Sequence, residues 1–365
     1  MELPSLLRGR IDDMLAGIPL ASLQSAADRL STRYRAETCD GALHLGVDLA
    51  VKAYLATRLP ATYAAVRTSF EMASTALPDF APRTLLDIGA GPGTALWATL
   101  DCWPSLARAT MVEASPNARS VGQQLADGLG VETQWLDGDA TGPLMQAVAA
   151  DLVTMAYVLD ELPENAMSPL IRRLWALAGE CLVVIEPGTP RGWKRILAVR
   201  DTLVAAGAHL AAPCPHEAPC PLTAPDWCHF SRKVARSRLH RMVKRADVPW
   251  EDEKFIYMVA SRSPAARRPA RVIAPPRAGS GQVRLKLCQP DGSVCDRLVT
   301  RRDGQLFKDA RALAEYNHRI DRSFLICSQY TLRVSICRQT ESRNGRRRLW
   351  TKPPACESRA MRAEN

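Results

Sequence analysis

Leu85-Leu86-Asp87-Ile88-Gly89-Ala90-Gly91-Pro92-Gly93-Thr94 decides how the rest of the chain is read. Four residues of apolar strand character run into three glycines spaced G-x-G-x-G, and Thr94 then opens a helical pattern. A turn this rich in glycine lets backbone approach a ligand closely where a strand feeds a helix, which is how nucleotide-like cofactors are held at the carboxyl edge of a parallel sheet. The rhythm continues outward. Strands are expected at 84–88, 109–113, 133–136, 152–157 and 181–186, with helices starting at 94 and 117 and covering 168–177 and 192–206. Such βαβα alternation predicts an α/β fold, a parallel sheet with helices on both faces. Glu113 ends the second strand, where an acidic residue accepts hydrogen bonds from ribose hydroxyls.

The flanks have a different texture. Residues 1–78 read as helical, with apolar spacing of three and four over 11–30 and 43–59 and an interruption at Pro60. After the core comes Cys214-Pro215-His216-Glu217-Ala218-Pro219-Cys220-Pro221-Leu222-Thr223-Ala224-Pro225-Asp226-Trp227-Cys228. Its prolines fix φ and remove donors, so it reads as a stiff loop that gathers thiolates, a metal or cluster clamp lacking a fourth local ligand. Cys288 is the best distant candidate, with Cys295, His216 and His229 behind it. Cys39, Cys102 and Cys181 read as plain buried residues. A basic helix is expected at 229–246, with Arg238, Arg241 and Arg245 on one stripe and Leu239, Met242, Val243 and Ala246 on another. A strand at 254–261, a linker at 262–281 and a small β element at 283–300 follow. The division is therefore 1–78 helical, 79–208 core, 209–261 cysteine loop, basic helix and returning strand, 262–318 linker and β element carrying Cys288, and 319–365 a poorly ordered basic tail.

Charge separates along the chain. Residues 262–365 carry 23 Lys/Arg against 9 Asp/Glu, whereas residues 1–261 carry 25 against 29, so the net +10 resides in the last third. Such a cationic block suits a phosphate backbone, a solvated basic tail with no partner being the alternative, and no DNA partner is expected. No long apolar run exists, and Met1-Glu2-Leu3-Pro4-Ser5 has none of the features of a secretion signal, so neither a membrane span nor export is expected. Eleven cysteines, an odd number, fit free thiols and ligands in a reducing cytoplasm.

The glycine loop with Glu113 resembles the class I S-adenosylmethionine-dependent methyltransferases, whose cofactor needs no pyrophosphate site. In that resemblance Asp87, Gly89, Gly91, Gly93 and Glu113 hold the cofactor, and Asp139, in Asp137-Gly138-Asp139-Ala140, sits beside the adenine. The fourth strand leads into Ala156-Tyr157-Val158-Leu159-Asp160-Glu161-Leu162-Pro163. It lacks the Asn/Asp-Pro-Pro-Tyr/Phe turn of enzymes that methylate base amino groups, so no catalytic residue is assigned. Asp160 and Glu161 read either as a general base or, the reading preferred, as a helix cap.

Taken together, Arg58-Leu59-Pro60-Ala61-Thr62-Tyr63, the glycine loop, Asp160-Glu161-Leu162, Ile185-Glu186-Pro187-Gly188-Thr189, the cysteine loop through Phe230, Glu251-Asp252-Glu253-Lys254-Phe255 and Leu287-Cys288-Gln289-Pro290-Asp291-Gly292 resemble the methyltransferase-like mitochondrial small-ribosomal-subunit assembly factors and their bacterial relatives. The resemblance covers about 40–315. It implies a [4Fe–4S] cluster on Cys214, Cys220, Cys228 and Cys288, zinc being the alternative, and association with the ribosomal small subunit or its rRNA. It places the chain in the cytoplasm, or in the mitochondrial matrix if the source is a eukaryote. Three functions compete: an rRNA methyltransferase, favoured by the intact loop and Glu113; a non-catalytic RNA-binding assembly factor, favoured by the missing turn; and a small-molecule methyltransferase with structural zinc.

Overall fold

The structure, a computed structural model, describes residues 1–36, 42–140, 142, 148–265 and 269–319. Four helices come first: α1 (Ser5–Leu15), α2 (Leu20–Ala36), α3 (Asp48–Thr57) and α4 (Leu59–Ala76). The single helix expected over 11–30 is two, because Gly17 takes φ +77° and turns the chain. Pro60 starts a helix rather than ending one. It lies in the first turn of α4, where a missing N–H costs nothing.

The core then follows as β1 (Thr84–Ile88), α5 (Thr94–Cys102), β2 (Arg108–Glu113), α6 (Pro116–Ala126), β3 (Glu132–Asp137), β4 (Ala150–Ala156), α7 (Glu164–Leu177), β5 (Ala178–Pro187), α8 (Pro190–Ala205), β6 (His209–Ala212), β7 (Phe230–Ala235), α9 (Arg238–Lys244) and β8 (Trp250–Ser261). Eight strands form one sheet in the order β3-β2-β1-β4-β5-β8-β6, with β7 paired to β8. The first five strands are mutually parallel, as expected. The sheet as a whole is mixed, because β8 returns antiparallel to β5, from Cys181 opposite Ser261 to Pro187 opposite Phe255. Both faces are buried, so the central strands read as unbroken apolar runs. Cys181, Val183 and Ile185 point into the core shared with the N-terminal helices. Leu182 and Val184 point into the core shared with α7 and α8.

The basic helix expected over 229–246 is replaced by β7 and the short α9. Phe230 and Val234 are buried on one side of β7, and its whole length pairs with Trp250–Phe255 of β8, so sheet pairing overrides the local helical pattern. The Ser237 hydroxyl then caps α9 by accepting from His240 N at 3.1 Å. Arg245 leaves the helix at φ +51°, and its guanidinium meets Asp28 at 3.1 Å. The predicted arginine stripe is therefore not a single face.

Within the segment read as a linker lie β9 (Arg271–Val272) and β10 (Arg277–Gly279), which flank the hairpin of β11 (Gln282–Cys288) and β12 (Val294–Thr300) in a second, antiparallel sheet. Val283, Leu285 and Leu287 alternate into a core with Ala310 and Leu313 of α10 (Gln305–Arg319). The tail expected over 319–365 lies, past Arg319, outside the described residues, as does Cys39. Of the other cysteines read as core, Cys181 is buried and Cys102 half-buried. Among the described residues no helix is long and apolar enough to cross a membrane.

Candidate functional site

At the carboxyl ends of β1 and β4, where the strand order reverses, a cavity of about 290 Å³ opens. Asp87, Gly89, Gly91, Glu113 and Asp139 line it; Gly93 stands behind the loop against Trp135. A side chain at Gly89 would be strained: its φ is +69°, and a Cβ there would lie 2.4 Å from Val158 Cγ2, so Val158 would have to shift. At Gly91, φ +52°, the nearest atom to such a Cβ is Leu45 Cδ1 at 3.9 Å, so that side is open for a ligand.

Glu113 ties the loop to the end of β2. Its Oε2 accepts from Gly91 N and its Oε1 from Ser115 N, each at 2.8 Å. Burial pushes its pKa up, and those backbone donors offset part of the rise. Each carboxylate oxygen has two acceptor positions, so capacity for ribose hydroxyls remains. Asp87 is buried and accepts from Thr154 Oγ1 at 2.6 Å; burial lifts its pKa to about 7. Asp139 Oδ1 accepts from Gly142 N at 2.6 Å.

The opposite wall comes from the N-terminal helices and the segment before α3, and sequence reasoning missed it. Tyr34, His44, Tyr54 and Arg58 all line the cavity. The Tyr34 and His44 rings stack at 4.9 Å. Arg33 Nε donates to His44 Nδ1 at 3.2 Å, which leaves the proton on Nε2, 3.5 Å from Glu161 Oε1. The one available signal was Arg58 within a motif already noted.

Asp160 and Glu161 do not cap a helix. They form a single 3₁₀ turn between β4 and α7, both line the cavity, and α7 begins after Pro163 with no side-chain cap. Burial, then the charges of Asp160 and Glu113, raise the Glu161 pKa to about 8. Behind the turn, fully buried Glu186 accepts from Leu159 N at 3.1 Å and Arg195 Nη1 at 3.4 Å. Tyr157, in the left-handed region at φ +58°, donates its hydroxyl to Glu253 Oε1 at 2.7 Å. Arg58 forks onto the same carboxylate at 2.9 and 2.8 Å.

A second, smaller cavity of about 40 Å³ is lined by Cys214, Cys220, Cys228 and Cys288, together with Arg200, His216 and Arg271. The three loop cysteines thus line one cavity with Cys288 at the end of β11, and all four thiols are free. Burial raises the pKa of Cys220 and Cys228 and pushes that of Cys288 up to about 12. Arg200, itself buried, shapes the loop: its Nη2 donates to His216 O at 3.3 Å and also to Ala218 O. Arg271 pairs with Cys288 across β9 and β11 and lays its guanidinium over the Phe230 ring at 3.9 Å. Of the reserve ligands, His216 Nε2 lies 3.3 Å from Cys288 Sγ, His229 stacks on Trp227, and Cys295 receives Gln289 Nε2 at 3.0 Å. The expected metal-cluster insertion is not itself shown. Among the described residues no three His, Cys, Asp or Glu side chains form an arrangement that holds a metal ion.

The strand order with its antiparallel β8, and the glycine loop at the reversal point, define the Rossmann-like methyltransferase fold. Residues 48–316 match the sequence profile of mitochondrial small ribosomal subunit Rsm22, and the chain belongs to that family. The human ribosome assembly protein METTL17, mitochondrial, is 32% identical over 279 residues, covering 71% of this chain and 60% of the relative. The Rsm22-cox11 tandem protein 2, mitochondrial, of Schizosaccharomyces pombe is 23% identical over 314 residues, covering 71% of this chain and 41% of that one. The chain thus spans about 60% or less of the length of these relatives. Among solved structures, magnesium protoporphyrin IX methyltransferase (ChlM) from Synechocystis PCC 6803 with bound SAM superposes with a TM-score of 0.37 at 17% identity, over 68% of this chain and 99% of that one. Both relatives are mitochondrial by name, so they give the cytoplasmic placement no support.

Proposed function

We propose that the chain binds S-adenosylmethionine in the larger cavity and acts on the ribosomal small subunit, through its rRNA, as an assembly factor of the mitochondrial matrix. The observation carrying this reading is the cavity itself, with a glycine loop clamped by Glu113 on one wall and Tyr34, His44 and Arg58 on the other. When bound, the cofactor supplies an electrophilic methyl group. Gly91 gives the backbone approach, Glu113 and Asp139 present acceptors, and Glu161 can take up a proton near neutral pH because its pKa is about 8. That last feature supports methylation of rRNA. The absence of an Asn/Asp-Pro-Pro-Tyr/Phe turn after β4 favours the second reading, a non-catalytic assembly factor that uses the cofactor as a structural or sensing ligand.

The smaller cavity has on its walls the four cysteines of the expected cluster site. Cys214, Cys220, Cys228 and Cys288 would hold a [4Fe–4S] cluster, which staples the β9–β12 sheet to the loop before β7. Four thiolates carry negative charge into a buried site, and the guanidinium groups of Arg200 and Arg271 are placed to offset it. Zinc is the alternative, since all-thiolate ligation suits both. Affinity capture of the protein from its native cells tests the assembly role. Small-subunit rRNA and proteins should copurify and be lost as salt rises, because neutralising phosphates releases counterions. Capture without small-subunit components, or binding indifferent to salt, would refute the proposal.

A further inference from the structure

β8 pairs with β5 only from Phe255 onward, so residues 250–254, paired with β7 alone, project as a two-stranded ribbon past the carboxyl ends of the parallel strands. One face of this ribbon is packed. Phe230, Val234 and Phe255 are buried there, and Glu253 reaches Arg58 and Tyr157 at the cavity wall. On the other face, by the two-residue alternation of a strand, stand Trp250, Asp252, Lys254, Ser231 and Lys233.

Trp250 is 42% exposed, and the Lys233 ammonium sits 4.7 Å from its ring centroid. Val248, two residues earlier, is 47% exposed. An exposed indole with a cation beside it presents a π surface and a positive charge together, which a nucleotide with its base and its phosphate can match. The local charge selects among ligands. Phe230 to Trp250 contains Arg232, Lys233, Arg236, Arg238, Arg241, Lys244 and Arg245 against Asp247 alone. Among the described contacts Arg236 pairs with Glu251 and Arg245 with Asp28. By sequence the stretch carries a net +6 (seven cations less one carboxylate), and on the Trp250 face of the ribbon Trp250 is the exposed residue while Ser231, Lys233, Asp252 and Lys254 are half-buried.

We infer that this ribbon is a platform for unpaired RNA: Trp250 stacks on an exposed base while Lys233 and its basic neighbours take the flanking phosphates. The inference rests on the RNA-binding reading and adds to it a place and a mode. Stacking on aromatic rings is how proteins hold single-stranded nucleic acid with little sequence preference, and a duplex offers no free base to stack. Trp250 is three residues from Glu253, about 10 Å along the strand at ~3.3 Å per residue, and on the opposite face of the ribbon, so the platform is separate from the cavity.

The test measures fluorescence anisotropy of the full chain with two labelled RNAs of mixed sequence, a single strand roughly 12 nucleotides long and its duplex. Trp250→Ala should weaken single-strand binding roughly five- to hundredfold, the loss of one stacked base, and leave duplex affinity and melting temperature unchanged. Trp250→Phe should keep most of the affinity, and Lys233→Ala should flatten the log–log salt dependence on the single strand by about 0.7. Equal losses on single strand and duplex would show that the contact is not base stacking and would overturn the platform. So would unchanged RNA binding in Trp250→Ala, including the case in which that variant instead loses a ribosomal protein. If the parent protein binds neither RNA, the RNA reading fails and the platform with it.

Discussion

Replacing Glu253 by Gln probes the joint between the N-terminal helices and the sheet. This carboxylate is 9% exposed and satisfies three donors, two from the Arg58 guanidinium and one from the Tyr157 hydroxyl. Burial works against the Arg58 charge, and the charge and hydrogen bonds of Glu253 together with Tyr157 and Tyr54 outweigh it, so the guanidinium pKa is held above its ordinary value. Glutamine preserves the shape but removes the charge and one of the acceptor oxygens. Loss of one partner from a fully buried ion pair costs about 3–5 kcal/mol. Arg58 is 31% exposed and keeps part of its hydration, which reduces the figure to roughly 2 kcal/mol. Urea unfolding of the parent, Glu253→Gln, Arg58→Met and the double variant closes a double-mutant cycle. The double variant should be more stable than Glu253→Gln alone, since no uncompensated guanidinium remains. Cofactor affinity should fall in Glu253→Gln because Tyr157 lines the cavity. A Glu253→Gln protein within about 0.5 kcal/mol of the parent, or a double variant whose loss is the sum of the singles, would refute the reasoning.

The Glu161 pKa, raised to about 8, gives a signed pH effect. The folded state holds this proton more tightly than the unfolded chain, so its contribution is fully present below the ordinary carboxylate range and lost as pH rises to about 8. Glu161→Gln should abolish that share of the decline in denaturation midpoint between acid and alkaline pH, and an unchanged profile would count against the assignment. At Gly192 a Cβ would lie 2.0 Å from the Pro187 carbonyl oxygen, so Gly192→Ala should lose about 1–3 kcal/mol by thermal denaturation. Parent-like stability there would mean that α8 and the end of β5 are less closely packed. Serine at Cys214, Cys220, Cys228 or Cys288 should each remove the broad visible absorbance of anaerobically purified protein and its bound iron. Colourless parent protein with stoichiometric zinc would replace the cluster by zinc, and a Cys288→Ser variant with full metal content would remove the fourth ligand.

The parallel strands and the glycine loop were legible in sequence because their causes are local: unbroken apolar runs buried on both faces, and φ values that glycine alone adopts cheaply. Other features depend on partners far along the chain. Residues 229–246 carry a plausible helical stripe, yet the antiparallel partner supplied by β8 turns the first part into strand. Asp160-Glu161 before a helix looks like a cap by type and position. Only the placement of Glu186 and His44 shows the pair turned to the cavity. Tyr34 and His44 lie far before the loop they face, and no spacing rule links a helical N-terminus to a sheet edge. Chemistry asks a loop with three thiols for a fourth ligand but leaves Cys288, Cys295, His216 and His229 in contention, and the resemblance is what completes the set with Cys288.

The claim on which the account stands is that the cavity beside Gly91 and Glu113 holds S-adenosylmethionine. Isothermal titration calorimetry of the full chain with that molecule measures it directly. The account predicts saturable binding in the parent, with loss in Gly91→Arg, whose side chain would fill the open face of the loop, and marked weakening in Glu113→Ala, which unclamps Gly91 and Ser115. Variants that bind as tightly as the parent, or a parent that binds nothing, would contradict it.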